Sequence, residues 1–253
     1  MDEDEAETDV AAIADALRDA DTAVAFTGAG VSTASGIPSF RGDDGVWETE
    51  FDPQSFHVSR FRSDPAGFWA DRLELHERMF PDDVAPNAAH DALASLEAEG
   101  HLDAVITQNT DGLHQRAGSE DVVELHGANH RVECQECKQK EDAEPARERA
   151  RDGELPPTCR ACGGPLKPDV VLFGEQLPTM AMHRARELAD DADAFLVAGS
   201  SLTVEPAASL PRRAARDGHL SIVNFDETES DRYADVVVRG DVTEVLPEVE
   251  ERV

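Results

Sequence analysis

Short apolar runs of strand type alternate with helical patterns along most of the chain, and this alternation narrows the possible folds more than any other feature. The runs are Thr22–Thr27, Asp103–Thr107, Val122–Leu125, Ala194–Ala198, Leu220–Phe225 and Asp235–Val238. Before the first lies an amphipathic helix with Val10, Ile13, Ala14 and Leu17 on one face. Further helices are expected over Asn87–Glu99, Ala181–Ala189, about Pro206 to Asp217, and at the chain end. Strands joined through helices lie parallel, with helices covering both faces, so the expected class is α/β. Residues 2–9 read as a short solvated acidic tail.

Two stretches break the alternation. Residues 45–85 carry Trp47, Phe51, Phe56, Phe61, Phe68, Trp69 and Phe80 among several prolines, which suits an irregular, partly helical insertion. Residues 130–167 are charged and hold all four cysteines. Together these stretches predict a smaller domain, and residues 9–44, 86–129 and 168–253 the larger one, within a single catalytic unit of residues 1–253. Cys134-x-x-Cys137 and Cys159-x-x-Cys162 form two short chelating turns separated by 21 residues, a spacing that closes a tetrahedral thiolate site. Four sulfurs leave no open position, so one structural Zn2+ is expected, outside the chemistry.

The chain has 54 acidic residues against 23 basic ones and a net charge of −31. Lysine occurs only at Lys138, Lys140 and Lys167. Such a charge repels phosphate backbones and anionic membranes, so neither nucleic acid nor membrane is expected as a partner. The acids are scattered along the chain instead of forming one block. That pattern points to a surface adapted to molar salt, where screening acts within a few ångströms, and to a halophilic source. The start Met1-Asp2-Glu3-Asp4-Glu5 is the reverse of a signal peptide, no apolar run spans a membrane, and a cytoplasmic location is expected.

Several runs end in small or polar residues, which is where parallel sheets place their ligand crevice. Gly28-Ala29-Gly30 allows close backbone approach to a phosphate or simply satisfies a turn. Thr33 stands where a hydride-transfer fingerprint needs its third glycine, and Glu48 falls in an irregular segment, so a dehydrogenase is disfavoured. Gln108, Asn109 and Asp111 follow a second strand, and either grip a polar ligand or cap a helix. His126 follows a third and suits general-base work near neutrality. Gly199-Ser200-Ser201 and Asn224 with Asp226 mark two more strand ends.

Taken in order, Gly28–Ser32, Ser35–Arg41, Thr107–His114, His126-Gly127, the paired cysteine turns, Val170–Glu175, Gly199–Leu202 and Val223-Asn224 resemble the core motifs of the sirtuin family, from about residue 22 to 247. The resemblance implies a Rossmann-type domain and a zinc-ribbon domain, with NAD and an acyl-lysine peptide or protein meeting between them. It implies that Gly28, Ala29, Gly30, Ser32, Arg41 and Trp47 border the NAD, with Phe40 over the reactive ribose carbon. Asn109 and Asp111 would line the nicotinamide pocket, Gln108 would meet the ribose, and Gly199, Ser200, Ser201, Asn224, Asp226 and Val242 the adenosine. His126 would take a proton from a ribose hydroxyl. Val170, Val171 and Phe173 would pair with the substrate backbone as an added strand.

The implied activity is NAD-dependent removal of acetyl or other acyl groups from lysine, giving nicotinamide and O-acyl-ADP-ribose. Ser39 resembles the branch that removes acidic acyl groups, but that branch's tyrosine and arginine fall at Arg72 and Leu75. Leucine offers no grip on a carboxylate, so acetyl is expected over succinyl. The other readings are a desuccinylase, a protein ADP-ribosyltransferase on the same pocket, and a non-catalytic NAD-binding regulator.

Overall fold

The strand-type runs assemble into one parallel sheet. In the computed structural model, which describes residues 3–40, 45–81 and 83–253, nine strands are present among the described residues. They are β1 (Ala23–Thr27), β2 (Ala104–Thr107), β3 (Val122–Glu124), β4 (Gly127–Cys134), β5 (Lys140–Asp142), β6 (Leu166–Val170), β7 (Ala194–Ala198), β8 (His219–Val223) and β9 (Val236–Val238). Six of them form a parallel sheet in the order β3-β2-β1-β7-β8-β9. The chain leaves β1 towards β2 and β3, then returns to build β7, β8 and β9 on the other side. The order therefore reverses between β1 and β7, and a crevice opens beyond their carboxyl ends.

The helices are α1 (Glu3–Asp19), α2 (Val46–Thr49), α3 (Val58–Ser63), α4 (Pro65–Met79), α5 (Ala88–Glu99), α6 (Leu113–Ala117), α7 (Ala143–Arg151), α8 (Thr179–Asp191), α9 (Leu210–Ala214) and α10 (Val242–Arg252). Alternate residues of β1 face opposite sides, as the strand period requires. Ala23 and Ala25 join Ile13, Leu17, Leu93, Leu96 and Leu246 of α1, α5 and α10 in one core. Val24 and Phe26 join Phe195 with Met182 and Ala185 of α8 and Leu210 of α9 in the other. With both faces covered, the central strands β1, β2 and β7 are apolar runs, ending in a threonine or an alanine, instead of alternating.

A third core gathers the aromatic insertion and the cysteine segment. Phe56, Phe61, Phe68, Trp69, Leu75 and Met79 pack with Val132, Ala146 and Leu166. Strands β5-β4-β6 form a small antiparallel sheet there, and the buried indole of Trp69 donates to the Leu166 carbonyl at 2.8 Å.

Three local expectations are corrected. Residues 3–9 are the first turns of α1 and not a free tail, because Glu and Ala favour a helix. The stretch 206–217 is a single 3₁₀ turn followed by the five-residue α9, because Pro206 and Pro211 cannot donate to a continuous helical ladder. The fifth sheet strand stops at Val223, leaving Asn224 and Phe225 beyond the sheet, with Phe225 67% exposed.

Candidate active site and metal centre

A cleft of about 950 Å3 lies between the carboxyl ends of the parallel strands and the third core. Its floor is the reversal point itself. The turn after β1 is a 3₁₀ helix, Ala29–Ser35, and Gly30 donates to the Gly199 carbonyl at 2.8 Å. The two turns touch backbone to backbone. A Cβ on Gly30 would lie 2.7 Å from the Gly199 Cα, and one on Gly28 2.9 Å from the Gly199 oxygen. Gly199 itself has φ +59°, a left-handed conformation suited to glycine. These glycines are thus required by strand-end packing, which brings bare backbone to the cleft floor.

Gly28, Ala29, Gly30, Phe40, Trp47, Gln108, Asn109, His126, Gly199, Ser200, Ser201, Asn224, Asp226 and Val242 all line this cleft, as do Arg72, Leu75, Val170, Val171 and Phe173. Ser32 and Asp111 do not. They line an adjoining recess of about 10 Å3 with Ala29, Phe40, Phe80 and Asn109. In this conformation that recess holds no more than about one water molecule. Arg41 lies outside the described residues.

The polar groups are fixed by one another. Asn109 donates from Nδ2 to the Gly28 carbonyl at 3.0 Å and to Ser32 Oγ at 3.1 Å. Ser32 Oγ donates to Asp111 Oδ2 at 2.9 Å, while Asp111 Oδ1 accepts the Leu113 amide at 2.8 Å. Asp111 therefore both steadies the start of α6 and faces the recess. Burial pushes its pKa above the usual carboxylate value, against the opposing pull of these two hydrogen bonds. Gln108 Nε2 donates to Ser200 Oγ at 2.8 Å, joining the ends of β2 and β7. Asn224 Nδ2 donates to the Asp226 carbonyl at 2.8 Å.

His126 sits in the turn between β3 and β4, with Nδ1 3.1 Å from the Gln108 carbonyl oxygen. A carbonyl only accepts, so Nδ1 carries the proton of the neutral ring and Nε2 is the basic nitrogen. Burial lowers the pKa of His126, and the Gln108 carbonyl partly offsets this. The ring is thus held neutral, in one tautomer, beside the cleft. Its carbonyl accepts from Val171 at 2.9 Å, which ties the histidine to the 170–173 segment. That segment also meets the aromatic insertion: Phe173 donates to Phe56 and accepts from Val58. Trp47 packs against Phe40, Phe56 and Phe173 with ring centroids 5.3–5.7 Å apart.

Behind the recess lies a polar layer that the sequence did not single out. His90 and His114 are both buried, with ring centroids 4.9 Å apart. His90 approaches Ser32 Oγ and caps α5 with Asn87, while His114 Nε2 meets Thr27 Oγ1 at 2.9 Å. Thr27 donates to Thr107, which in turn accepts the Asn109 amide. Burial lowers His90 to about 4 and His114 to about 3, so both are neutral. The Asn87-x-x-His90 spacing carries a capping-box signal, but nothing in it points to the cleft.

The four cysteines converge as their spacing predicts. All four sulfurs lie within 4.8 Å of one another, with Cys134–Cys162 at 3.4 Å and Cys137–Cys159 at 3.8 Å. A tetrahedral zinc with Zn–S bonds of about 2.3 Å needs sulfurs about 3.8 Å apart, so the set fits the metal. Backbone N–H groups, that of Cys137 foremost, lower the Cys134 thiol to about 7. Neighbouring sulfurs outweigh the backbone N–H groups at Cys137 and Cys162 and push Cys162 up to about 12, so a first thiolate is favoured and further ones need a cation.

Residues 28–206 match the Sir2 family. The chain belongs to the Sir2 family. An NAD-dependent protein deacetylase of the halophilic archaeon Haloarcula marismortui is 59% identical over 244 residues, covering 95% of this chain and 93% of that relative. An NAD-dependent protein deacylase 2 of Archaeoglobus fulgidus is 45% identical, covering 98% and 97%. Among solved structures, one from work on the mechanism and regulation of Sir2 enzymes superposes at TM-score 0.85 with 44% identity, covering 97% and 98%. A Sir2 complex with a p53 peptide and NAD+ superposes at 0.82 with 40% identity, covering 94% and 95%. For this Sir2-family chain, the cleft volume falls within the range of small-molecule and cofactor sites, and its bare glycine turns and amide-rich strand ends suit a dinucleotide.

Proposed function

We propose that this chain is an NAD-dependent protein lysine deacylase acting on acetyl-lysine, with a structural zinc and a cytoplasmic location. One observation carries the reading: His126 is fixed as a neutral base between the strand-end turns and the 170–173 segment. NAD supplies a ribose carbon that becomes electrophilic when nicotinamide departs. The net reaction takes acyl-lysine, NAD and water to lysine, nicotinamide and O-acyl-ADP-ribose.

Each side chain has a task in that reading. Gly28, Ala29 and Gly30 meet the phosphates, and Ser200, Asn224, Asp226 and Val242 meet the adenosine. Gln108 holds a ribose hydroxyl, and Nε2 of His126 removes a ribose proton. Asn109, Ser32 and Asp111 hold the carboxamide of nicotinamide once Phe40 and Phe80 open the recess. Phe40 and Trp47 then keep water from the sugar carbon. Val170, Val171 and Phe173 hold the substrate backbone. Residues 45–85 and 130–167 form the smaller domain and the rest the larger, with the zinc bound by Cys134, Cys137, Cys159 and Cys162.

The test is mass spectrometry of acetyl- and succinyl-lysine peptides incubated in molar potassium chloride, with and without NAD. NAD-dependent deacylation matched by nicotinamide release is expected. Bound NAD without peptide turnover would sink the reading, and a mass gain of ADP-ribose on a protein target would replace it with ADP-ribosyl transfer.

A further inference from the structure

The turn that carries His126 is joined to the small sheet by a ladder with a gap in it. Gly127 pairs with Val170, but the next pairs between β4 and β6 are Val132 with Pro168 and Glu133 with Lys167. From Gly127 to Val132 β4 advances five residues while β6 moves only two, so β4 bulges outward. Asp169 is the one β6 residue inside that gap. The backbones still touch at the turn: Gly127 has φ +73°, and a Cβ there would lie 2.1 Å from the Asp169 carbonyl oxygen. The bulge itself leans on the loop after β2, because the Asn129 amide donates to the Thr110 carbonyl at 2.8 Å.

Arg131 spans the gap with its side chain. Nε donates to Asp169 Oδ2 at 2.9 Å, Nη2 to Glu124 and Nη1 to His130 Nε2 at 3.1 Å, so every guanidinium nitrogen is engaged. Glu124 ends β3 just before the His126 turn, and Asp169 precedes Val171, whose amide donates to the His126 carbonyl. Among the described residues, Arg131–Glu124 is the ion pair that joins a strand of the parallel sheet to a strand of the antiparallel one. Glu124 and Asp169, with side chains 16% and 14% exposed, are the least exposed carboxylates in any described ion pair. Contact pairs withdrawn that far from water are screened less than exposed ones, so the bridge persists in molar salt. Gln115 donates to Glu124 at 2.9 Å and Lys140 to Asp169 at 3.0 Å, which anchors both outer ends.

We propose that Arg131 is a positioning residue for the base: it bridges Glu124 and Asp169 across the gap in the ladder and so fixes where His126 stands relative to the 170–173 segment. The inference rests on the deacylase reading. Arg131 does not line the cleft, so its effect passes through the backbone of the turn. Without it, two carboxylates that share one guanidinium are left as like charges on either side of the turn, and their repulsion parts the strands that hold it. A displacement of a reacting group by about 1 Å costs up to about a hundredfold in rate.

The experiment separates the step that uses the base from the one before it. In the proposed reaction nicotinamide leaves before His126 takes a proton, so exchange of labelled nicotinamide into NAD, with acetyl-lysine peptide present, needs no base. Deacetylation does. Both rates are measured in molar potassium chloride for wild type, Arg131→Gln, Arg131→Lys and Asp169→Asn. The two rates are compared within one preparation, so a lower folded fraction cancels. Arg131→Gln is expected to lower the deacetylation-to-exchange ratio by about tenfold or more, with partial recovery in Arg131→Lys and a smaller loss in Asp169→Asn. An unchanged ratio, including a proportional fall of both rates, assigns Arg131 to stability alone and overturns the proposal. If Arg131→Gln does not fold, Asp169→Asn decides on the same ratio. If wild type does not deacetylate, the deacylase reading fails, and ring-nitrogen NMR signals of the histidines then decide the role of Arg131. A His126 that keeps its Nδ1–H form in Arg131→Gln refutes that role, as does a change shared by the buried His90 and His114. Loss of that form with His90 and His114 unmoved supports it.

Discussion

Nδ1 of His126 lies 3.1 Å from the carbonyl oxygen of Gln108, so the orientation of the proposed base depends on the strand end that also meets Ser200. Because burial holds the folded pKa of His126 below 6.5, the ring stays unprotonated as pH falls through that value. The acid limb of kcat/KM should therefore have its midpoint below pH 6.5, and His126→Ala should remove deacylation by about a hundredfold or more while leaving the unfolding midpoint nearly unchanged. A limb centred above pH 6.5 would contradict this account of the base.

The contact between the two glycine turns predicts a coupled loss. In Gly30→Ala the new Cβ would meet Gly199 at 2.7 Å, and the atoms it meets are backbone. The expected cost is about 1–3 kcal/mol in urea unfolding, together with weaker NAD binding, because the turns that must part form the cleft floor. Full NAD affinity in a destabilised Gly30→Ala would separate packing from binding and refute that link.

The cysteine cluster predicts one zinc per chain when the protein is purified under reducing conditions. Cys159→Ser should lower the metal content and the thermal midpoint together, since the site joins two turns of the small sheet. Elemental analysis with a thiol titration is the check. Four reactive thiols in a well-folded, metal-free protein would defeat it.

The buried histidines predict how stability responds to acid. In the unfolded chain they titrate near 6.5, but in the fold His90 is lowered to about 4 and His114 to about 3. Between these values the unfolded state binds more protons. Their contribution is thus complete above pH 6.5 and is lost as pH falls, at up to about 1.4 kcal/mol per pH unit for each ring. Urea unfolding from pH 7 to 4.5 should show that slope, and His114→Gln should reduce it. An unaltered slope in the variant would assign the acid sensitivity to other groups.

Much of the sheet was legible because five-residue apolar runs such as Ala194–Ala198 end abruptly in small or polar residues, and only a strand buried on both faces needs that pattern. The strand-end residues were legible for the same reason, as were the cysteines through their spacing. The polar layer was not. A buried His90 or His114 looks in sequence like any surface histidine, and its partners Ser32 and Thr27 lie 58 and 87 residues away. The extent of α1 and the break before α9 depended on terminal charge and on two prolines, signals weaker than hydrophobic period.

Lys167 is one of only three lysines in the chain, and the fold removes it from circulation. Its ammonium donates to the Val170 carbonyl at 2.7 Å and to Glu175 Oε2 at 2.9 Å, and the residue is 9% exposed. Glu175 in turn accepts the Leu172 amide, so this pair braces the 170–173 segment. A charged, enclosed amine is a poor nucleophile towards stray acyl donors. Acylation of Lys167 would cancel its charge and loosen the brace, whereas Lys138 and Lys140 carry the exposed amines, with side chains 64% and 51% exposed.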